Sequence, residues 1–581
     1  MSARHLLTVV PAIGWLKAYR RDQLPSDLTA GFITAVLLIP QGMAYALLAG
    51  LPPEVGLYAS ILPPLVYALF GTSRTLSVGP VSVAALLVAN ALAASGAVQG
   101  EPSYLQDALL LAAMSGLILI LMALLRLDVL VNFLGHSVLS GFTSGAAVLI
   151  ILSQVMNLTG IPAPQGGSGV DMFWAAIQRI DEIHLVTLSL AAGSIILLLA
   201  SRSPFIRLLE GIGVSTGSAT LISRGGPLVI IALLTVLVAT FGLGDAGVAI
   251  VGAIPSGFPS PTWDFLQAER AMALLPSAIT ISLIGYVESV SVAKVLAYRR
   301  REKIDNRQEL IALGAANLVA GFSGSMPVAG GFSRSMVNFS AGAVTQLATI
   351  ITAILVGVTT AFFTQWFFFL PKAALAAIIV VAVAPLLDWR SAVKAFRYDR
   401  ADGAAMLATF LGVILFDIET GLIAGVAVAV GSFLWRSSRP HTAIVGRLPG
   451  TEHFRNIDRH EVQTWPQLLL IRIDRSLYFA NVAHVEQVVA ARVAQQRDIS
   501  HLVIICSGVN EIDHSAIEAL EQLAESLRDA GITLHLSDVK GPIMDRLART
   551  DFMDCIAPGQ IFISAEAAVE VLVRDGGSDQ V

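Results

Sequence analysis

A chain of 581 residues that is 55% hydrophobic and only 14% charged is not an ordinary soluble protein, in which about a quarter of residues carry charge. A mean hydropathy of +0.73 puts most of it in lipid. The net charge of −5 says little by its sum, and no nucleic-acid partner is expected.

The apolar character stops near residue 440, so two parts are expected: a large membrane part and a C-terminal soluble domain. Both cysteines, Cys506 and Cys555, fall in the second part, which excludes a disulfide framework and fits a cytosolic domain. The first 27 residues read as a cytoplasmic N-terminal segment. Its "LLTVVPAIGWL" contains Pro11 and lacks a small-residue cleavage site, which predicts a short amphipathic helix on the membrane surface rather than a signal peptide.

Fourteen spanning stretches follow, between residues 28 and 436. They lie near 28–49, 54–70, 77–94, 105–125, 132–158, 183–200, 227–243, 274–297, 308–322, 331–342, 343–366, 371–387, 402–417 and 419–436. The basic residues of the short loops follow the even-numbered stretches: Arg126; Arg202, Arg207 and Arg224; "YRRREKIDNR"; "KAFRYDR"; "WRSSR". With Lys17, Arg20 and Arg21 ahead of the first span, this places both termini in the cytoplasm. Pro52, Pro53, Glu54, Asp417 and Glu419 read as turn residues between spans, and Lys294 as a side chain reaching to the interface.

Spans 3 and 10 are short and broken: "SVGPVSVAALL" at 77–87 and "VAGGFSRSMVNFSAG" at 328–342. Interrupted segments at corresponding places in two halves point to a transporter's binding site. An offset of seven spans reverses orientation, so a seven-plus-seven inverted repeat is expected. Pro80 suits a first helical turn, and Gly330 with Gly331 lets the chain bend before Phe332. Two helix N-termini meeting near the midplane would offer free amides and partial positive charge. Arg334 would then sit in a first turn, where a cation makes sense if an anion occupies the gap; its planar fork suits an oxyanion. The alternative is an arginine that snorkels or pairs with a carboxylate. Glu288, in "YVESVSVAK" of span 8, needs a partner or a proton at that depth.

After residue 465, apolar runs "LLLIRID", "HLVIICS" and "ITLHLSD" alternate with helical patterns at 482–497, 515–530 and 541–549. This predicts a partly parallel sheet covered by helices. Ser515 and Glu518 read as a capping box. No cluster has metal-ligand spacing, no phosphate-binding GxxxxGKS occurs and no catalytic Ser/His/Asp set stands out, so neither an enzyme nor a cofactor is expected.

The block "IPQGMAYALLAGLPPEVGLYASILPPLVYALFGTSRTLSVGPVSVAALL" (39–87) closely resembles the signature region of the SulP sulfate-permease family. So does the stretch 286–343, which contains "GSMPVAGGFSRSMVNFSAG", while "IICSGVNEIDHSAIEAL" (504–520) resembles the core of a STAS domain. The resemblance covers nearly the whole chain in order. It implies a transmembrane anion-transport domain at 28–436, a linker at 437–454 and a STAS domain at 455–581. It also implies a core of spans 1–4 and 8–11 that moves against a gate of spans 5–7 and 12–14 in an elevator-like cycle, and a homodimer. By position, Ser333 and Arg334 fall on the family's Ser-Arg pair, beside Phe332; Gln41 and Tyr45, with Gly79, Pro80 and Val81, fall on the facing wall. Glu288 falls on the carboxylate that looks like the proton-coupling group of plant relatives. Ser515 matches a phosphorylated serine of soluble STAS domains, although Cys506 and His514 depart from that motif. The function expected is uptake of an oxyanion, sulfate first, by proton symport across the inner (plasma) membrane. The alternatives are sodium-dependent bicarbonate or C4-dicarboxylate transport, and an anion-binding sensor or motor without net transport.

Overall fold

The structure is a computed structural model describing residues 10–128, 135–161, 169–201, 203–215, 219, 223, 225–258, 260–416, 418–496 and 498–575. Arg202, Arg224 and Asp417, which entered the loop reading, lie outside the described residues. All fourteen expected stretches contain a helix. Span 1 is Leu24–Leu48, span 2 is the pair Pro53–Tyr58 and Leu62–Phe70, span 3 is Ser82–Ala94 and span 4 is Pro102–Leu124. Spans 5 to 7 are His136–Ser153, Leu185–Ala200 and Gly226–Thr240. Spans 8 to 11 are Ala268–Arg300, Asn306–Phe322, Phe332–Ser340 and Leu347–Phe362. Spans 12 to 14 are Lys372–Val383, Arg400–Leu415 and Ile418–Ser437. Among the described residues, spans 1, 2, 4, 5, 8 and 14 are long and apolar enough to cross a membrane unaided, as is the stretch Lys372–Tyr398 that runs on from span 12; spans 3, 6, 7 and 11 are shorter apolar helices.

Among the described residues before the C-terminal unit, four further α-helices of seven or more residues lie outside the spans: α1 (Pro11–Lys17), α2 (Gly169–Gln178), α3 (Ser203–Gly211) and α4 (Trp389–Tyr398). The first is the expected N-terminal helix, and it buries Ala12 and Trp15 against the second half of span 2. The fourth occupies what reads as a loop between spans 12 and 13.

The spans sort into two sets by packing. Span 9 packs on spans 2 and 4, span 8 on span 4, and span 11 on spans 1 and 2. Span 13 packs on span 5 and span 6 on span 12. Close approach is made by small residues, since lipid gives helices no hydrophobic reason to pair. A Cβ on Gly314 of span 9 would lie 2.9 Å from the Gly116 carbonyl of span 4, and one on Gly412 of span 13 would lie 2.6 Å from the Gly421 Cα of span 14.

Residues 430–581 form a second compact unit. Its six-stranded sheet has the order β4-β3-β5-β6-β7-β8, with β3 (Thr442–Arg447), β4 (Phe454–Asn456), β5 (Leu468–Ile473), β6 (His501–Ile505), β7 (Thr533–Ser537) and β8 (Ile561–Phe562). Strands β5 to β8 are parallel, and β3 pairs antiparallel with both β4 and β5. The central strands are apolar on both faces because both are covered. One face carries α5 (Val482–Gln495), α6 (His514–Asp529), α7 (Gly541–Leu547) and α8 (Phe552–Ile556); the other carries α9 (Ala565–Asp575). Two details differ from the sequence reading. The sheet begins at Thr442, inside the stretch read as a linker. Helix α6 is capped by Asp513, whose carboxylate accepts from the Ala516 amide at 2.8 Å; Ser515 is an exposed residue of the first turn and does not cap. Its neighbour Asp513 is one of the strongest N-caps and already supplies that acceptor.

Candidate anion site

The site starts from two short strands. Residues Val78–Gly79 (β1) run into span 3 and Ala329–Gly330 (β2) run into span 10. They pair antiparallel, Val78 opposite Gly330 and Gly79 opposite Ala329. Span 3 begins at Ser82 with Val81 as its N-cap, and span 10 begins at Phe332 with Gly331 as its N-cap. Pro80 therefore stands before the cap rather than in the first turn, where its fixed φ steers the chain from strand to helix. Neither N-cap supplies a side-chain acceptor. The first intrahelical bonds run from Ala85 to Val81 and from Ser335 to Gly331, so the amides of residues 82–84 and 332–334 have no carbonyl one turn earlier.

Buried side chains stitch this crossing together. Ser289 of span 8 accepts from the Gly330 amide at 2.7 Å and donates to the Gly285 carbonyl at 2.5 Å. Ser335 accepts from the Ser77 amide at 2.9 Å, and Asn317 of span 9 bonds both the amide and the carbonyl of Val328 at 2.9 Å. Asn338 donates to the Thr75 carbonyl at 3.1 Å, and Gln346 to the Ser73 carbonyl at 2.6 Å. Two fully buried carboxylates hold the loops behind. Glu309 accepts from the Tyr67 hydroxyl and from Thr72 and Ser73, and Asp27 accepts from the Val344 and Thr345 amides and the Thr345 hydroxyl.

Arg334 is 3% exposed. Its Nη1 donates to the Pro80 carbonyl at 2.6 Å and its Nη2 to the Ser77 carbonyl at 3.3 Å. Its Nε has no hydrogen-bond partner among the described residues. The fork that the sequence reading directs at an oxyanion thus grips the backbone of the facing segment, while its positive charge stays at the junction of the two helix ends. Gly79 makes room for it: a Cβ there would lie 3.3 Å from Nη2, at a φ of +156°.

In front of the crossing lies a cavity of about 540 Å³. Gln41, Tyr45, Val81, Glu288, Phe332, Ser333 and Arg334 all line it. Gly79 and Pro80 lie behind, against the guanidinium. Ser82, which the sequence reading passed over, joins the lining, and Ala382, Pro385 and Leu386 close the far side. A smaller cavity of about 170 Å³ shares Gln41 and Ser333 and reaches Ser201 and Pro227 at the ends of spans 6 and 7. Glu288 and Arg334 share the cavity wall, but no ion pair joins them in the described structure.

In the C-terminal unit, burial pushes the Cys506 thiol up to about 12, so it stays protonated and unreactive. His535, buried and 3.1 Å from His501 (Nε2 to Nδ1), is pushed down to about 4 by burial and by that neighbour. Its Nδ1 accepts from the Gln560 amide at 3.1 Å. Among the described residues no group of three acidic, His or Cys side chains could hold a metal.

Comparison with known proteins follows the same lines. The model for "Sulfate permease family" matches residues 24–409, and that for "STAS domain" matches residues 459–568. Sulfate transporter 4.1, chloroplastic, of Arabidopsis thaliana is 34% identical, over 98% of this chain and 83% of its own length. High affinity sulfate transporter 2 of Stylosanthes hamata is 31% identical, over 97% of this chain and 86% of its own. The structure of murine Solute Carrier 26 family member A9 anion transporter in the inward-facing state superposes with a TM-score of 0.89 at 22% identity, covering 99% of this chain and 95% of that one. The transmembrane domain of the cyanobacterium bicarbonate transporter BicA covers 70% of this chain and 98% of its own, with a TM-score of 0.59 at 23% identity. With the family model spanning two thirds of its length and relatives above 30% identity along nearly all of it, the chain belongs to the sulfate permease family, as a multi-pass membrane protein with a C-terminal STAS domain.

Proposed function

We propose that the protein is a secondary active transporter that takes up sulfate together with protons across the plasma membrane, with both termini in the cytoplasm. The observation that carries this reading is the pair of uncapped helix N-termini at Ser82 and Phe332, with the buried Arg334 charge between them and a cavity in front. Such an arrangement suits a small oxyanion: amides supply directed hydrogen bonds, and a permanent charge in low dielectric supplies affinity. The names of the relatives above, sulfate transporters, favour sulfate over other oxyanions. The roles follow from position. Ser333, Ser82, Val81 and Phe332 offer hydroxyls and amides, Gln41 and Tyr45 form the facing wall, and Glu288 takes the proton. Gly79 and Pro80 seat Arg334.

An elevator cycle is supported by where the cavity lies. One wall comes from spans 3, 8 and 10, which the polar crossing welds together, and from span 1, which packs on spans 3 and 10; the other comes from Ala382 near the end of span 12 and from Pro385 and Leu386 just after it. A homodimer is part of the proposal, on the family resemblance alone. Protonating Glu288 removes a negative charge from the wall that the anion shares, so proton and anion bind with positive coupling of about 1–3 kcal/mol.

The test is uptake into proteoliposomes with radiolabelled sulfate, bicarbonate and succinate, with imposed proton or sodium gradients. Sulfate accumulation driven by an inward proton gradient is the expected result. Glu288→Gln should bind sulfate with little pH dependence yet lose gradient-driven accumulation. A strict sodium requirement with bicarbonate uptake overturns the reading in favour of the bicarbonate alternative. Succinate as the accumulated solute favours the dicarboxylate one. Anion binding without flux favours a sensor or motor.

A further inference from the structure

Helix α4 lies at the membrane end of two spans, because only Asp399 separates its last residue, Tyr398, from span 13, and residues 384–388 join it to span 12. Phe396 pins it there. The residue packs over Gly403 of span 13, where an added Cβ would lie 2.5 Å from the ring. The helix also packs against span 5.

Its outer surface has two kinds of side chain. Arg390, Lys394 and Arg397 fall at spacings of four and three, which puts them on one face, and all three are exposed. Among the described residues none of them makes an ion pair. The neighbouring acids are placed differently. Asp388 caps α4, accepting from the Ser391 amide at 2.9 Å and its hydroxyl at 2.5 Å; Asp399 caps span 13, accepting from the Ala401 amide at 2.9 Å. Asp402 is exposed in the first turn of span 13. Beside the basic face stand large aromatics with little protein over them: Trp389 is 78% exposed, Tyr398 93% and Phe396 43%.

We propose that α4 lies in the bilayer interface and binds the headgroups of anionic phospholipids through Arg390, Lys394 and Arg397. Trp and Tyr settle at headgroup level, where an apolar ring and a polar atom are both satisfied. Unpaired cations in that layer attract acidic lipid, and a neutral zwitterionic headgroup offers them no net charge. An interfacial helix of this kind keeps a charged face toward headgroups and an aromatic edge toward acyl chains. The partner is a lipid surface carrying phosphatidylglycerol or a similar anionic headgroup.

The experiment uses the intact protein in vesicles of phosphatidylcholine with 20–30% (roughly) of either brominated phosphatidylglycerol or brominated phosphatidylcholine. Bromine quenches tryptophan on contact, and the Trp389 contribution is obtained by difference from Trp389→Phe. Quenching of Trp389 at least about twofold stronger by the anionic lipid is expected, falling to equality in R390Q/K394Q/R397Q and persisting in R390K/R397K. Equal quenching by both lipids in the unmodified protein overturns the headgroup preference. A preference that survives the triple Gln variant assigns it to other residues and overturns the role of these three. Absence of quenching by either lipid shows that α4 is covered by protein or stands in water, and overturns the interfacial placement.

Discussion

At the scale of single residues, Arg334 does two jobs that a substitution can separate. It carries charge to the junction of two helix ends, and it satisfies the Pro80 and Ser77 carbonyls in a buried place. Arg334→Ala removes the charge and strands both acceptors, so anion affinity should fall on the order of 100-fold, about 3 kcal/mol. Arg334→Lys keeps a charge but lacks the planar fork needed to reach two carbonyls, and should recover roughly a tenth of the affinity. Sulfate binding measured calorimetrically on the two variants checks both. His535 makes a different kind of prediction. Its folded value of about 4 lies below the ordinary 6.5, so the unfolded chain takes a proton before the folded one does. Stability from this residue is complete above about pH 6.5 and is lost as pH falls toward 4, by up to about 3 kcal/mol. The urea midpoint of the C-terminal unit should drop across that window, and His535→Gln should flatten the drop.

At the scale of elements, the spans were legible because about 20 apolar residues in a row admit few other readings. The broken helices were legible from Gly and Pro standing inside apolar runs. What joins them was not. A ladder of two residues, Val78–Gly79 on Ala329–Gly330, has no periodicity to detect, and its partners are some 250 positions apart. The polar stitches Ser289, Asn317 and Asn338 are single uncharged residues in apolar sequence, so composition hides them. Glu309 was the one that could have been found, as an acid inside an expected span. Helix α4 was missed because its charges and aromatics, read linearly, look like a loop; on a helix they separate into faces. The crossing gives this scale its prediction. Gly79→Ala sets a methyl against the guanidinium at a φ that side chains rarely adopt. Sulfate transport should fall at least tenfold while the protein still folds and inserts, as judged by yield and elution as a single species.

At the scale of the whole molecule, two compact units with separate cores predict that the membrane part functions without the soluble one, provided the cut respects the sheet. Strand β3 begins at Thr442 and lies between β4 and β5. Ending the chain after residue 437 should leave a membrane domain that still binds sulfate with affinity within a few-fold of the full chain. Ending it after residue 454 leaves β3 with two unpaired edges, a template for aggregation. That shorter deletion should give the poorer yield and more aggregate by size-exclusion chromatography, although it removes fewer residues. The comparison locates the boundary by behaviour, and loss of binding in both truncations would show that the site depends on the soluble unit.

The welding of β1 to β2 also has an electrical consequence. Because the two helix ends, Arg334 and Glu288 belong to one stitched body, any journey of that body across the bilayer carries their charge along with the cargo. In the proposed cycle an ionised Glu288 balances Arg334 when the site is empty, so these two groups add no net charge to the returning body. Loaded with a divalent anion and with one proton on Glu288, Arg334, Glu288 and the cargo together carry one net negative charge. An inside-negative potential of 100 mV then opposes inward movement by about 2.3 kcal/mol. Under the proposed symport, one proton would give the sulfate chemical drive but leave it working against the voltage; a second would be needed to make the loaded step electrically silent.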